Sequence, residues 1–230
     1  MQFIEKNSFN VRSAVYHFKK DGAPEFILFP MIHIGSQTFY DEIARRLTPC
    51  DLILAEGVSS KRGNLLKLSY RVVKRIKRMD LVTQHEALNT AAFREKIINA
   101  DMAGSAFDAR WSSLPLSLRV QLFLFVPIYI LYLLFFGTRE TLAENIALDD
   151  LPFSEEILLE DDTFEDLDSL LIDERDRTLL GNIKRVYETG GNKTIGVVYG
   201  AMHMRKAVEF LMRGLNYRVA KAEWVTVFDL

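Results

Sequence analysis

Apolar residues in this chain fall into two patterns, and the change from one to the other outlines the fold. From Val11, "VRSAVYHF" alternates as a half-buried strand does, whereas "EFILFPMIHI", "DLILAEGV" and "TIGVVYG" are unbroken apolar runs of strand length. Residues 11 to 34 predict a hairpin, with its turn at "KKDGAP". Ser36 is placed to N-cap a helix over "QTFYDEIARRL", which stops before Pro49. "DLILAEGV" then predicts a buried strand ending at Glu56 and Gly57. Strand, helix and strand in that order imply a right-handed crossover and a sheet that is at least partly parallel. Residues 62 to 148 read as mostly helical. A long helix is predicted over about Phe164 to Tyr187, "ETGGNK" is a turn, and Thr194 to Tyr199 is another buried strand. Lys206 to Arg213 predicts a helix and "YRVAKAEWVTVFD" a last, alternating strand. The fold class expected is α/β: a mixed, partly parallel central sheet flanked by helices, with a mostly helical insertion, about 62–148, between its two halves. The whole chain, 1–230, reads as one domain.

The middle segment departs from both patterns. From Val120 to Phe136, "VQLFLFVPIYILYLLFF" holds 17 residues without a charge, bounded by Arg119 and Arg139. As a helix it would reach roughly 25 Å, the short edge of what crosses a bilayer. Pro127 near its centre is expected to kink or divide it. One simple crossing would place the chain before it and the chain after it on opposite sides of the membrane. The segment therefore lies in the interface or re-enters, packs in an oligomer interface or buried hairpin, or spans.

Charge adds a second feature. The formal net charge is only -2, which argues against nucleic acid as a partner. Between Lys61 and Arg78, however, there are eight Lys or Arg and no acid, with Leu65, Leu68, Val72 and Ile76 near helical spacing. That is either a solvated helix face or a basic amphipathic helix for a membrane surface. The block from Glu155 to Glu174 is acidic and could lie against it. The single cysteine, Cys50, excludes a disulfide framework and fits a reducing compartment. Early charges at Glu5, Lys6 and Arg12 leave no signal-peptide apolar region. The expected location is membrane-associated, with the main domain cytoplasmic.

Candidate chemistry sits where the apolar runs end. His33, Glu56 and His203 each follow a strand run, so they belong at the carboxyl ends of strands, the edge where open α/β sheets form their sites. A carboxylate straight after "LILA" is costly to bury unless it is paired or binds a cation. On the long helix stands "DERDRTL". At about 100° per residue, Asp176 falls among Ile172, Leu179 and Ile183 on the apolar stripe, with Arg175 on its edge and Glu174 on another side. Taken alone, "ERD" reads first as a surface salt-bridge helix. His85 and His17 read as structural. No G-x-S-x-G elbow, H-E-x-x-H motif or glycine-rich phosphate loop is present.

These residues together resemble the TraB/PrgY and Tiki-like (GumN-like) superfamily. The resemblance rests on the histidine after the first apolar run with Ser36 three on, on "LILAEGV", on "ERD", and on "VVYGAMH", in order from about Phe26 to Val208. The family's G-x-x-H pattern is intact at Gly200 to His203, while the first copy has Pro30 in place of glycine. "NADM" matches the family's D-R-D-I segment only at Asp101. The resemblance implies a divalent-metal-dependent hydrolase, a peptidase, or a protein that shuts down a peptide pheromone by cleavage or sequestration. It implies manganese or cobalt, with zinc or iron as alternatives. Two imidazoles and a carboxylate would leave room for a water on the metal, so His33, Glu56 and His203 are the expected ligands. Arg175 is the candidate for a developing oxyanion, Asp176 would orient Arg175 or a ligand, and Glu174 is the reserve general base. The competing reading is a membrane-associated protein that captures a hydrophobic peptide or other apolar ligand without cleaving it. A third is a scaffold whose central segment makes a homo-oligomer.

Overall fold

A computed structural model of the chain describes residues 1–57, 76, 79–88, 90–149 and 172–230. The basic run 61–78, apart from Ile76, lies outside the described residues. So do residues 150–171, which hold most of the acidic block and the start of the helix expected over 164–187.

The hairpin predicted from residue 11 forms β2 (Asn10–Lys19) and β3 (Glu25–Met31), antiparallel with Tyr16 opposite Leu28. Gly22 turns it with φ +71, a conformation that favours glycine. A short β1 (Ile4–Lys6) shares the β3 edge of β2, and β9 (Arg218–Asp229) covers the other edge from end to end. β4 is only Ile34–Gly35. Ser36 then caps α1 (Gln37–Leu47), its hydroxyl accepting from the Phe39 N–H at 3.2 Å. Phe39, Tyr40, Ile43 and Leu47 make the buried face of that helix. β5 (Leu52–Ala55) follows.

The sheet is mixed. β3 pairs parallel with β8 (Thr194–Gly200), β8 with β5, and β5 with β7 (Ile97–Asn99), while β1, β2 and β9 are antiparallel. β8 arrives late in the chain yet lies at the centre, with Phe29 opposite Val198 on one side and Leu54 opposite Val197 on the other. The core holds Phe18, Phe26, Phe29, Phe39, Tyr40, Tyr199 and Phe228, all fully buried. Each such side chain contributes about 1.5 to 3 kcal/mol by leaving water.

The region 62–148 is less uniformly helical than its composition suggests. It supplies β6 (Val82–Thr83), paired with β4, and β7, which extends the main sheet. β7 has three residues, too few for a period to show, and is held because Ile97 and Ile98 lie beside Ile53 and Leu54. Helical parts follow: α2 (Gln84–Ala87), α3 (Gly104–Ser113), α4 (Leu116–Phe136) and α5 (Arg139–Asp149). Beyond 171, α6 (Glu174–Thr189) precedes β8. α7 (Met204–Glu209) follows β8 and widens into a looser turn over Phe210–Gly214, so the helix expected to reach Arg213 stops short in α form.

Pro127 does not divide α4, which runs unbroken for 21 residues, about 30 Å. Among the described residues it is the one helix long and apolar enough to cross a membrane, with mean hydropathy 2.0. Leu118 and Leu133 are buried, whereas Phe123, Leu124, Phe125, Ile128, Leu131 and Phe135 are all more than half exposed. β3 precedes α4 and β8 follows it, and the two pair residue for residue. One straight crossing by α4 would pull that sheet apart.

Candidate functional site

Four parallel strands end on one edge, and each delivers a polar group there. His33 lies two residues past β3, Glu56 directly follows β5, Asp101 lies two past β7, and His203 three past β8. Facing them, the first turn of α6 brings Arg175 and Asp176.

Arg175 joins two of the strand ends. Its Nε and Nη2 donate to the two oxygens of Asp101 at 3.0 and 2.8 Å, and Nη2 also donates to Glu56 Oε1. Asp101 further accepts from the Gly57 and Met102 N–H groups at 3.1 and 2.8 Å, so its buried charge is fully engaged. Glu56 Oε2 accepts from the Gly200 N–H at 2.6 Å. Burial pushes the Glu56 carboxyl upward, but the charge of Arg175, helped by His33 and His203, outweighs it and leaves the pKa at about 2. Burial works against the Arg175 charge as well, and its bonds to Asp101 and Glu56 more than offset that, raising its pKa above the usual value.

Gly200 shows why this position suits a residue without a side chain. A Cβ there would stand 3.2 Å from Glu56 Oε2 and 3.5 Å from the His203 ring. Gly200→Val is therefore expected to displace Glu56 from the Gly200 N–H and cost about 1 to 3 kcal/mol, measured by urea denaturation. An unchanged midpoint would mean that the carboxylate is not held there.

His203 and Asp176 make a second pair, almost wholly buried. His203 Nδ1 lies 2.7 Å from Asp176 Oδ1, and an ionised carboxylate only accepts, so the ring proton belongs on Nδ1. Nε2 is buried and without a hydrogen-bond partner among the described residues; Asp176 Oδ2 is likewise unmatched. The His203 and Tyr199 rings stand nearly perpendicular with centroids 4.9 Å apart, and the Arg175 guanidinium lies 5.7 Å from the centre of the same tyrosine ring. Burial raises the Tyr199 pKa well above its ordinary value, so the hydroxyl stays protonated.

Comparison with family models, with curated proteins and with solved structures finds no match to this chain. What it does must be argued from the site itself.

Of the six residues singled out from sequence, Glu56 and Arg175 are bonded to each other, and His203 and Asp176 form a pair beside them. Asp176 orients His203 rather than Arg175; it is Asp101 that holds Arg175. His33 is exposed, with Nδ1 3.1 Å from Gln84 Oε1, and lies near enough to Glu56 to help stabilise its charge. Glu174 is bonded instead to Arg110 on α3 at 2.8 Å. Among the described residues no three His, Cys, Asp or Glu side chains converge closely enough to enclose a metal ion. The donor chemistry is nonetheless of the right kind at one point. A ring nitrogen without a protein partner, with the other nitrogen held by a carboxylate, is how metal-binding histidines are arranged.

Proposed function

We propose that the chain is a metal-dependent hydrolase of the peptidase type working at a membrane, in keeping with its resemblance to the TraB/PrgY and Tiki-like superfamily. The observation that carries this is His203: its Nδ1 is committed to Asp176, and its buried Nε2 is left unmatched beside Glu56 and Arg175. His203 through Nε2, Glu56 and His33 would hold the metal. Were a divalent cation such as manganese, cobalt, zinc or iron held there, it would supply Lewis-acid chemistry for hydrolysis.

The remaining work falls to the chain's own side chains. Asp176 keeps the His203 ring in one tautomer. Arg175 occupies Glu56 Oε1, and Asp101 holds the guanidinium through Nε and Nη2, so Glu56 would serve as a ligand only if Arg175 were held by Asp101 alone. Anchored that way, Arg175 presents a donor to a developing oxyanion. Glu174 stays the reserve base, reachable only if it leaves Arg110. The exposed face of α4 supports work at a bilayer on peptide or other hydrophobic substrates, with the basic run 61–78 as a second contact.

The test is the metal content of protein purified without chelators. Near-stoichiometric metal is expected in the wild type and none in His203→Ala, while Asp176→Asn should weaken metal binding by about 10- to 100-fold. No metal in the wild type after supplying manganese and cobalt would overturn the hydrolase. One observation favours a second reading: Glu56, Arg175 and Asp101 already satisfy one another, as they would in a protein that kept this site as a strut and binds an apolar ligand along α4. That protein would still bind its apolar ligand after His203→Ala and would be disabled by polar substitutions on α4.

A further inference from the structure

The two ends of α4 are tied to the same edge of the sheet. Before it, α3 is held to the start of α6 by the Arg110 to Glu174 bond at 2.8 Å, next to Arg175. After it, Arg139 donates to the carbonyls of Met79 and Asp229 at 2.7 and 2.9 Å. Asp229 stands opposite Asn10, the first residue of β2. Because β2 runs against β3, that point lies on the edge where β3 and β8 end. Through the helices on either side of it, α4 therefore starts and ends near one edge of the sheet. On a helical wheel, Leu118 and Leu133 fall on the stripe facing the body. The exposed positions cover roughly 200° of the circumference. From Val120 to Phe136 none of them is charged.

An arc that wide is more than one protein groove encloses, and lipid solvates such a face on all sides. At the start of α4 the character changes. Trp111, Leu116, Arg119, Val120 and Phe123 line an open cavity of about 280 Å³. The Nε of Arg119 is enclosed there without a hydrogen-bond partner among the described residues. A cationic donor in an apolar cleft, one residue before the uncharged stretch, asks for an acidic group attached to something apolar.

We propose that α4 is an in-plane bilayer helix and that the cleft at its start binds the phosphate of an anionic phospholipid through Arg119. The inference rests on the membrane reading above and deepens it. The helix lies on the edge that carries Glu56 and His203, so the bilayer is brought alongside the site and substrates reach it from the lipid.

The experiment is sedimentation of the full chain with vesicles of phosphatidylcholine alone and of an equimolar mixture with phosphatidylglycerol. Wild type should bind both and prefer the anionic mixture, with Arg119 supplying about fivefold of that preference. Arg119→Gln should keep the binding to neutral vesicles and cut the anionic preference by about fivefold, leaving the share that the basic run 61–78 contributes. A triple variant, Phe123→Glu, Ile128→Glu and Phe135→Glu, should lose both while keeping its melting temperature, since those side chains are exposed. Binding to neither vesicle would overturn the membrane reading and this one together. Equal binding to both, a preference that Arg119→Gln leaves undiminished, or an anionic preference that free inorganic phosphate abolishes would overturn the lipid-phosphate site alone. A lipid-free dimer that the triple variant dissolves would assign the face to a second copy of the chain.

Discussion

Arg175→Met is expected to lower the free energy of unfolding by about 3 to 5 kcal/mol, because it strands two buried carboxylates at once. The side chains of Asp101 and Glu56 are 0% and 11% exposed, and Arg175 is the cation they share. Without it, one of them must take up a proton or let water in. Arg175→Lys should recover little, since an ammonium cannot present Nε and Nη2 to Asp101 and reach Glu56 at the same time. The discriminating comparison is a triple variant, Arg175→Met with Glu56→Gln and Asp101→Asn. If the loss comes from uncompensated charge, the triple should be more stable than Arg175→Met, a reversal that simple addition forbids. Urea unfolding of the three proteins at neutral pH decides it, and a triple variant less stable than the single would show that shape rather than charge is being lost.

The second large effect is acid lability. Glu56 has a folded pKa of about 2 against an ordinary value of 4.5. A group depressed on folding stabilises the protein fully above its unfolded pKa, and that stabilisation disappears as the pH falls through the folded value. The window is therefore pH 4.5 down to 2, and the loss for this one group is about 3 kcal/mol. Chelator-treated wild type should lose stability across that window more steeply than Glu56→Gln, so that the gap between them closes as the pH drops. Parallel stability profiles would mean that Glu56 carries no special share of the acid response.

Much of this arrangement could be read from local pattern, and the exceptions have physical reasons. Ser36 caps its helix because a hydroxyl before a helical period is a local signal. Glu56 and His203 stand out because each interrupts an apolar run at its end. Asp176 falls on the buried stripe of α6 with Leu179 and Ile183, as helical spacing requires. Asp101 escaped notice as a site residue because β7 is only three residues long, too short for "IIN" to announce a strand whose end would matter. Tyr199 was hidden by its own surroundings, one aromatic in a run of core residues. The partners of Arg175 and Asp176 could not be assigned either. Spacing says which face a side chain leaves by, and the strand order of the sheet decides whom it meets. That order, with β8 between β3 and β5, is carried by no single segment.

The same strand order governs how the molecule can be made. β8 fills the gap between β3 and β5, and until Thr194–Gly200 has left the ribosome the sheet has no centre. By then the whole of α4 has already been synthesised. A nascent chain thus displays its most apolar helix while the body that should carry it is still two unjoined halves, a non-local closure of the slow kind. Delivery to a bilayer, capture by a chaperone and aggregation all compete in that interval. The outcome is settled by how soon one strand is threaded between two that have been waiting for it.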